Sequence, residues 1–288
     1  MDTENEDQSA SALTSATDWV RYRPTGQPGV TLMRAHFTDH TFERHSHPEF
    51  GIGLTYSGIQ TFNCSGTRQT SAPGNVIFLN PDQAHDGLRG KTDSYDYSML
   101  YVDPVVMSTL RDRAAGVLGA GYFRDAVVHA PQAAKQLHQA IKATAQAQEA
   151  LRGESLLLKA LMGLLLRFGE QPMAAQTPTH PGMGRLQRVR EFIHAHASDD
   201  ISIGELARAA GVSRVYLSRA FEHQFGVPPH VYLNAVRLAN ARRLLLGGMS
   251  LATVAVTAGF ADQSHFSRRF KGAVGLSPGV WLRQMRGI

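Results

Sequence analysis

The sequence predicts two unlike halves: a β-barrel or sandwich followed by a helical pair, then an all-α domain. Three observations carry this prediction. Short apolar runs alternate with turn dipeptides between residues 30 and 102. The charge changes sign across a proline-rich segment, and a pattern that begins at Leu206 recurs 48 residues later at Val254.

The front of the chain is read first. Residues 1–17 are acidic, rich in Ser, Thr and Ala, and aperiodic, which predicts disorder. The first seven hold Asp2, Glu4, Glu6 and Asp7 and no basic group, the opposite of a secretory leader. Apolar runs at 30–33, 50–56, 59–64, 75–79 and 99–102 are separated by Ser57-Gly58, Ser65-Gly66, Pro73-Gly74 and Asn80-Pro81-Asp82. Runs of this length and spacing predict the strands of a sandwich or small barrel. Two helices follow. One covers 132–150, with Leu137, Ile141 and Ala145 at i, i+4 spacing; the other covers 154–168, with Leu157, Leu161, Leu164 and Leu165 on one side. Packing on the barrel is the expectation for most of these leucines, with a dimer seam as the alternative.

Residues 171–182 read as a linker, since Pro172, Pro178 and Pro181 interrupt a stretch with no apolar periodicity. Charge agrees. Residues 183–288 carry 14 basic and 6 acidic groups, a net of +8, whereas residues 1–182 carry 15 and 18, a net of −3. Thirteen of those 14 basic groups are arginine, whose planar fork suits phosphates and base edges, so a polyanion partner is expected.

Composition excludes other classes. With 43% apolar and 18% charged residues, the 288-residue chain is globular in type. Cys64 is the only cysteine, which rules out a disulfide scaffold and fits a reducing, cytoplasmic setting. The longest apolar stretch, 156–166, has 11 residues and contains Lys159, too short for a membrane span.

Each copy of the repeat reads as helix, tight turn, helix. Leu206-Ala207, Gly211, Leu217 and Phe221 answer to Val254-Ala255, Gly259, Phe266 and Phe270. Ser202 with Glu205 forms a capping box, and Ser250 is the matching cap. Gly211 and Gly259 fall where the chain must reverse with positive φ. Between the copies, 229–246 is proline-started, apolar-periodic and stopped by Gly247-Gly248. At 1.5 Å per residue that helix spans roughly 25 Å, long enough to hold two helices near the spacing of successive major grooves.

Residues 185–286 resemble the DNA-binding domain of the AraC/XylS transcription regulators, most clearly over 255–278 (AVTAGFADQSHFSRRFKGAVGLSP). The resemblance implies helix-turn-helix units at about 202–223 and 250–272 within a DNA-binding domain at 183–288. It implies base readers at Arg214, Val215, Ser218 and Arg219 in the first unit. In the second they are Gln263, Ser264, Ser267 and Arg268, with Arg269 and Lys271 on phosphates. In front, His45-Ser-His47, Pro73-Gly74 and His85 resemble the cupin barrel that serves as a sensor in this family, here 18–130, with 131–170 as the interface or dimerisation segment. His45, His47, Glu49, His85 and Tyr97 are the candidate effector-pocket residues, with Tyr95 and Tyr101 beside them. The metal-binding cupin pattern places an acid four or five residues after the second histidine, where this chain has Gly51 and Ile52. Neither a metal nor another cofactor is expected. Cys64, at the end of an apolar run, reads as a buried thiol.

The expected function is sequence-specific transcription regulation under a small effector, without enzymatic activity. The implied partners are double-stranded DNA, the effector, a second copy of the chain and RNA polymerase. The alternatives are a metal-dependent cupin enzyme using His45, His47 and His85, and a DNA-binding architectural protein whose barrel only dimerises.

Overall fold

The computed structural model describes residues 18–38, 41–113, 122–146, 150–170 and 181–288. The disorder expected of residues 1–17 lies outside these, as does the linker expected at 171–182 apart from its last two residues.

The strands come first in the chain. They are β1 (Trp19–Pro24), β2 (Val30–Phe37), β3 (Phe42–His45), β4 (Phe50–Ser57), β5 (Gln60–Cys64), β6 (Thr67–Ser71), β7 (Asn75–Leu79), β8 (His85–Arg89) and β9 (Tyr95–Val102). Helix α1 (Pro104–Arg113), β10 (Tyr122–Phe123) and β11 (Val127–His129) follow, then α2 (Pro131–Ala143), α3 (Ala150–Phe168) and β12 (Gly169–Glu170). One antiparallel sheet has the order β1-β2-β9-β4-β7-β11; the other is β3-β8-β5-β6, and β10 pairs with β12.

The six-stranded sheet is buried on both faces, which is why its strands read as nearly continuous apolar runs. Alternation sorts the side chains. Met33, Ala35, Phe37, Ile77, Leu79, Tyr95, Tyr97 and Met99 share the barrel core with Phe62 and Cys64. Leu32, Ile52, Leu54, Val76, Phe78 and Leu100 pack on the other side against Leu137, Leu157, Leu161, Leu164 and Leu165. The leucine stripe of the helical pair is therefore applied to the barrel, as expected. The first of those helices stops at Ala143 rather than continuing to 150. At Gly153 any Cβ would meet the Ala143 carbonyl oxygen at 2.9 Å, so α3 crosses closely over the end of α2.

The second half comprises α4 (Pro181–Ala195), α5 (Ile203–Ala210), α6 (Arg214–Phe225), α7 (Pro229–Leu246), α8 (Leu251–Thr257), α9 (Gln263–Val274) and α10 (Pro278–Arg286). Helix α4 begins at Pro181, inside the segment read as linker, because proline suits the first turn of a helix. The Ser202–Glu205 capping box and the Ser250 cap are formed. Gly211 and Gly259 have φ of 65° and 85°, and Leu217, Phe221, Phe266 and Phe270 are fully buried. Among the described residues, no helix is long and apolar enough to cross a membrane.

The two halves are docked. The Tyr22 hydroxyl donates to the Val274 carbonyl at 3.0 Å, and Arg190 lies 3.6 Å from Asp82. Strand β1 is an edge of its sheet, and Gln284 of α10 lies along it. The Tyr22 N–H donates to the Gln284 Oε1 at 2.8 Å, and the Gln284 Nε2 donates to the Val20 carbonyl at 3.5 Å. One amide side chain thus stands in for a neighbouring strand. The second repeat unit and the barrel interior form one continuous apolar cluster.

Candidate nucleic-acid interface and effector cavity

Both recognition helices, α6 and α9, turn their N-terminal ends outward and rest their C-terminal ends on the barrel. Ser213 caps α6 through Tyr216 N–H, and Asp262 caps α9 through His265 N–H. Arg214, Val215 and Arg219 are exposed and Ser218 half-buried; Gln263, Ser264 and Arg268 are exposed and Ser267 half-buried. The eight expected base readers therefore lie on accessible faces, with Leu217, Phe221, Phe266 and Phe270 anchoring the opposite sides. At the far ends, a Cβ on Gly226 would meet Ala84 of the barrel at 2.8 Å, and Ala273 lies in the wall of the barrel cavity.

Of the expected phosphate contacts, Lys271 is exposed. Arg269 is exposed too, but it lines an interdomain cavity with Arg44, Ser46 and His47. Not every arginine faces outward. Arg237 is buried, donating to the Ala197 and Asp199 carbonyls at 2.7 Å, and Arg242 belongs to the domain seam. Part of the arginine excess in this half is structural.

The barrel cavity is built by alternation on β9, which sends Tyr95, Tyr97, Met99 and Tyr101 inward, opposite Phe42 and Phe62. His45 and His85 are direct register partners on β3 and β8 and also line it. His47 lies in the loop after β3 rather than on the same strand, yet its ring joins the other two. The His45–His85 and His47–His85 ring centres are 4.4 and 4.9 Å apart. Each Nδ1 donates to a main-chain carbonyl: His45 to Glu43 at 2.7 Å, His47 to Glu49 at 2.8 Å and His85 to Gln83 at 2.8 Å.

Burial dominates the electrostatics of this cluster. It drives the His47 pKa down to about 4, against the opposing pull of Glu49, and holds His45 below its ordinary value. For His85, burial and the neighbouring imidazoles push the same way, well below normal. All three rings are neutral at pH 7. Glu49, expected among the pocket residues, lies outside the barrel cavity. It pairs with Arg242 of α7, whose Nη2 is 2.9 Å from Oε1 and 3.1 Å from Oε2. Burial alone would raise the Glu49 pKa, but Arg242 and His47 outweigh it and hold the carboxyl low. Burial likewise opposes the Arg242 charge, and Glu49 and the nearby tyrosines keep the guanidinium protonated.

Where a cupin metal site has its acid, Gly51 faces inward, and a Cβ there would meet Leu79 and the Met99 sulfur within 3.2 Å. Among the described residues, no group of three or more His, Cys, Asp or Glu is placed to hold a metal ion. Cys64 is buried, which raises its thiol pKa to about 11. Sequence reading missed Arg242, Tyr22 and Ala273 as members of this region. Arg242 lies 193 positions from Glu49 and looks, locally, like a solvated helix charge.

Two family models match the chain. Residues 27–166 match the AraC-like ligand binding domain and residues 206–284 a helix-turn-helix domain. The HTH-type transcriptional regulator YbfI of Bacillus subtilis is 27% identical over 78% of this chain and 81% of its own. The arabinose operon regulatory protein of Escherichia coli is 28% identical over 79% and 78%. ToxT of Vibrio cholerae, solved with an unsaturated fatty acid bound, superposes with a TM-score of 0.60 at 14% identity over 91% of this chain and 98% of its own, a likeness of fold. The chain belongs to the AraC/XylS family of transcription regulators, with an AraC-type ligand-binding domain ahead of a two-unit helix-turn-helix domain.

Proposed function

We propose that a small effector enters the barrel cavity and controls how the docked helix-turn-helix domain meets DNA. The observation that carries this is the shared wall: Ala273, on the second recognition helix, lines the same cavity as Tyr97 and His85. An effector there touches α9 directly, so it can favour one docking arrangement over another, which is what control requires.

In this reading Arg214, Val215, Ser218 and Arg219 face one major groove, and Gln263, Ser264, Ser267 and Arg268 face the next. Lys271 meets phosphate. Arg269 meets phosphate when the domain is on DNA and the interdomain cavity when it is not. Residues 18–130 act as the sensor and 183–288 as the reader, in the cytoplasm where the operator is. A second copy and RNA polymerase complete the assembly, and the exposed Leu151 and Leu166 of α3 offer apolar surface to the former.

The test retains fragmented genomic DNA on the full chain and sequences it. Two conserved blocks about one helical turn apart support the two-headed reader. Retention without a motif sinks it. A plug at the shared wall, Ala273→Trp, is expected to change affinity for the recovered site; unchanged affinity removes the cavity from the control mechanism.

A further inference from the structure

The imidazole nitrogens turned toward the barrel cavity are hydrogen-bond acceptors. Because each cluster imidazole donates its Nδ1 proton to a carbonyl and stays neutral, its Nε2 carries a bare lone pair. His45, His47 and His85 together offer three acceptors and no free donor. The His47 Nε2 is buried with no partner, and so is the Oγ of the adjacent Ser46. Both residues are more than nine-tenths buried and line the interdomain cavity that adjoins the barrel. Orphaned polar atoms of this kind are rare in folded proteins and point to a missing group. Tyr95 and Tyr97 add hydroxyls to the barrel wall that have no hydrogen-bond partner among the described residues.

The remaining walls narrow the shape and the charge. Phe42, Phe62, Met33 and Met99 supply ring faces and thioethers, a lining for a flat, polarisable body. Among the described residues, no lysine or arginine lines the barrel cavity. Arg44, Arg242 and Arg269 line the adjoining interdomain cavity, and of these Arg242 is held by both oxygens of Glu49. A carboxylate placed among these lone pairs loses its hydration, and the barrel lining itself supplies no counter-charge. A cation finds no free carboxylate among the described residues of the lining. Asp86, the one acid in the lining, is engaged by Asn63 through N–H and Nδ2 at 2.7 and 2.8 Å.

We infer that the effector is an uncharged aromatic compound bearing adjacent hydroxyl groups, which donate to the imidazole cluster while the ring sits between the aromatic and thioether walls. Ring centres of 4.4 and 4.9 Å place the acceptors within the breadth of one such ligand, which is why one hydroxyl is too few. This rests on the barrel being the effector site.

The experiment is calorimetric titration of the full chain with catechol, catechol dimethyl ether, benzoate and decanoate. Catechol is expected to bind at least roughly thirtyfold more tightly than the other three, which lack donors or carry charge. Two variants locate the contact. Tyr97→Phe removes a hydroxyl with no partner among the described residues and is expected to weaken catechol about tenfold. His85→Asn keeps a donor for the Gln83 carbonyl and removes the acceptor at the Nε2 position, with a larger loss; melting temperatures confirm that both variants fold. Benzoate or decanoate binding as tightly as catechol overturns the inference while leaving an effector site in the barrel. So does the absence of heat from all four probes, or full catechol affinity in His85→Asn. Catechol binding that leaves operator affinity unchanged contradicts the effector role instead, and not the pocket's chemistry.

Discussion

Replacing Glu49 by alanine strips the Arg242 guanidinium of its counter-ion inside the domain seam. The two side chains are 23% and 18% exposed, with Nη2 at 2.9 and 3.1 Å from the carboxylate oxygens. At a charge separation of about 4 Å and an effective dielectric of about 20, the attraction is about 4 kcal/mol, partly offset by desolvation. Removing one partner of a buried pair costs about 3–5 kcal/mol, and the residual exposure here puts the expectation near the lower bound. A loss of about 3 kcal/mol shifts the docking equilibrium by more than roughly a hundredfold. Trp281 on α10 lines a cavity of the seam with Tyr22, Glu49 and Arg242, whereas Trp19 stacks on His36 within the barrel, so the Trp281 contribution to fluorescence in a urea titration reports undocking. A double-mutant cycle with Arg242→Met separates the pair from the loss of packing. The coupling energy is expected at about 1.5–3 kcal/mol, within the range of close charge pairs. A coupling below about 0.5 kcal/mol would place the pair with solvated surface contacts and refute the seam as its environment.

Arg268→Ala is expected to weaken the specific site by about 1–3 kcal/mol and relax base preference there, whereas Lys271→Ala weakens all sequences alike and lowers the salt slope by about one; competition binding at several salt concentrations checks both. The imidazole cluster makes stability pH-dependent. His47 titrates near 4 in the folded chain against an ordinary 6.5, so the unfolded chain takes up its proton first and stability falls as pH drops from about 6.5 toward 4. The loss from His47 alone is on the order of 3 kcal/mol, and a melting temperature flat between pH 7 and pH 4.5 contradicts a neutral, buried ring. Gly259→Ala is expected to destabilise more than Gly211→Ala. Both have positive φ, but only at Gly259 does a Cβ meet backbone, the Ala197 oxygen at 2.7 Å; equal melting shifts would mean that this contact relaxes freely. Cys64 should resist thiol reagents until the barrel unfolds, and rapid labelling of the native chain would show that its burial is incomplete.

The helical half was legible because its signals are local. Ser202 and Glu205, Gly211, Gly259 and Pro229 each mark a cap, a turn or a helix start within a few residues. The central strands were legible because burial on both faces leaves runs such as β4 and β7 almost wholly apolar. Strands β3 and β6 were not. FERH and TRQTS are mostly polar and partly exposed, held in place by pairing with β8 and β5 rather than by their own pattern. Helix α1 escaped as well, since PVVMSTLRDR opens on β-branched residues that read equally as strand. Among the candidate pocket residues, His45 and His85 followed from the cupin resemblance, and Tyr97 from the alternation of tyrosines along one strand. The move of Glu49 out of the cavity depends on Arg242, and nothing near either residue announces the other.

The lone amide of Gln284 that lies along β1 has a practical consequence for dissecting this regulator. A truncated barrel ending near residue 170 would carry an open strand edge of six residues, WVRYRP, with Val20 and Tyr22 no longer sheltered. Such edges pair with one another between molecules. The sensor is therefore expected to precipitate or self-associate when expressed without its C-terminal half, and ligand screens on that fragment would report the behaviour of an artificial surface.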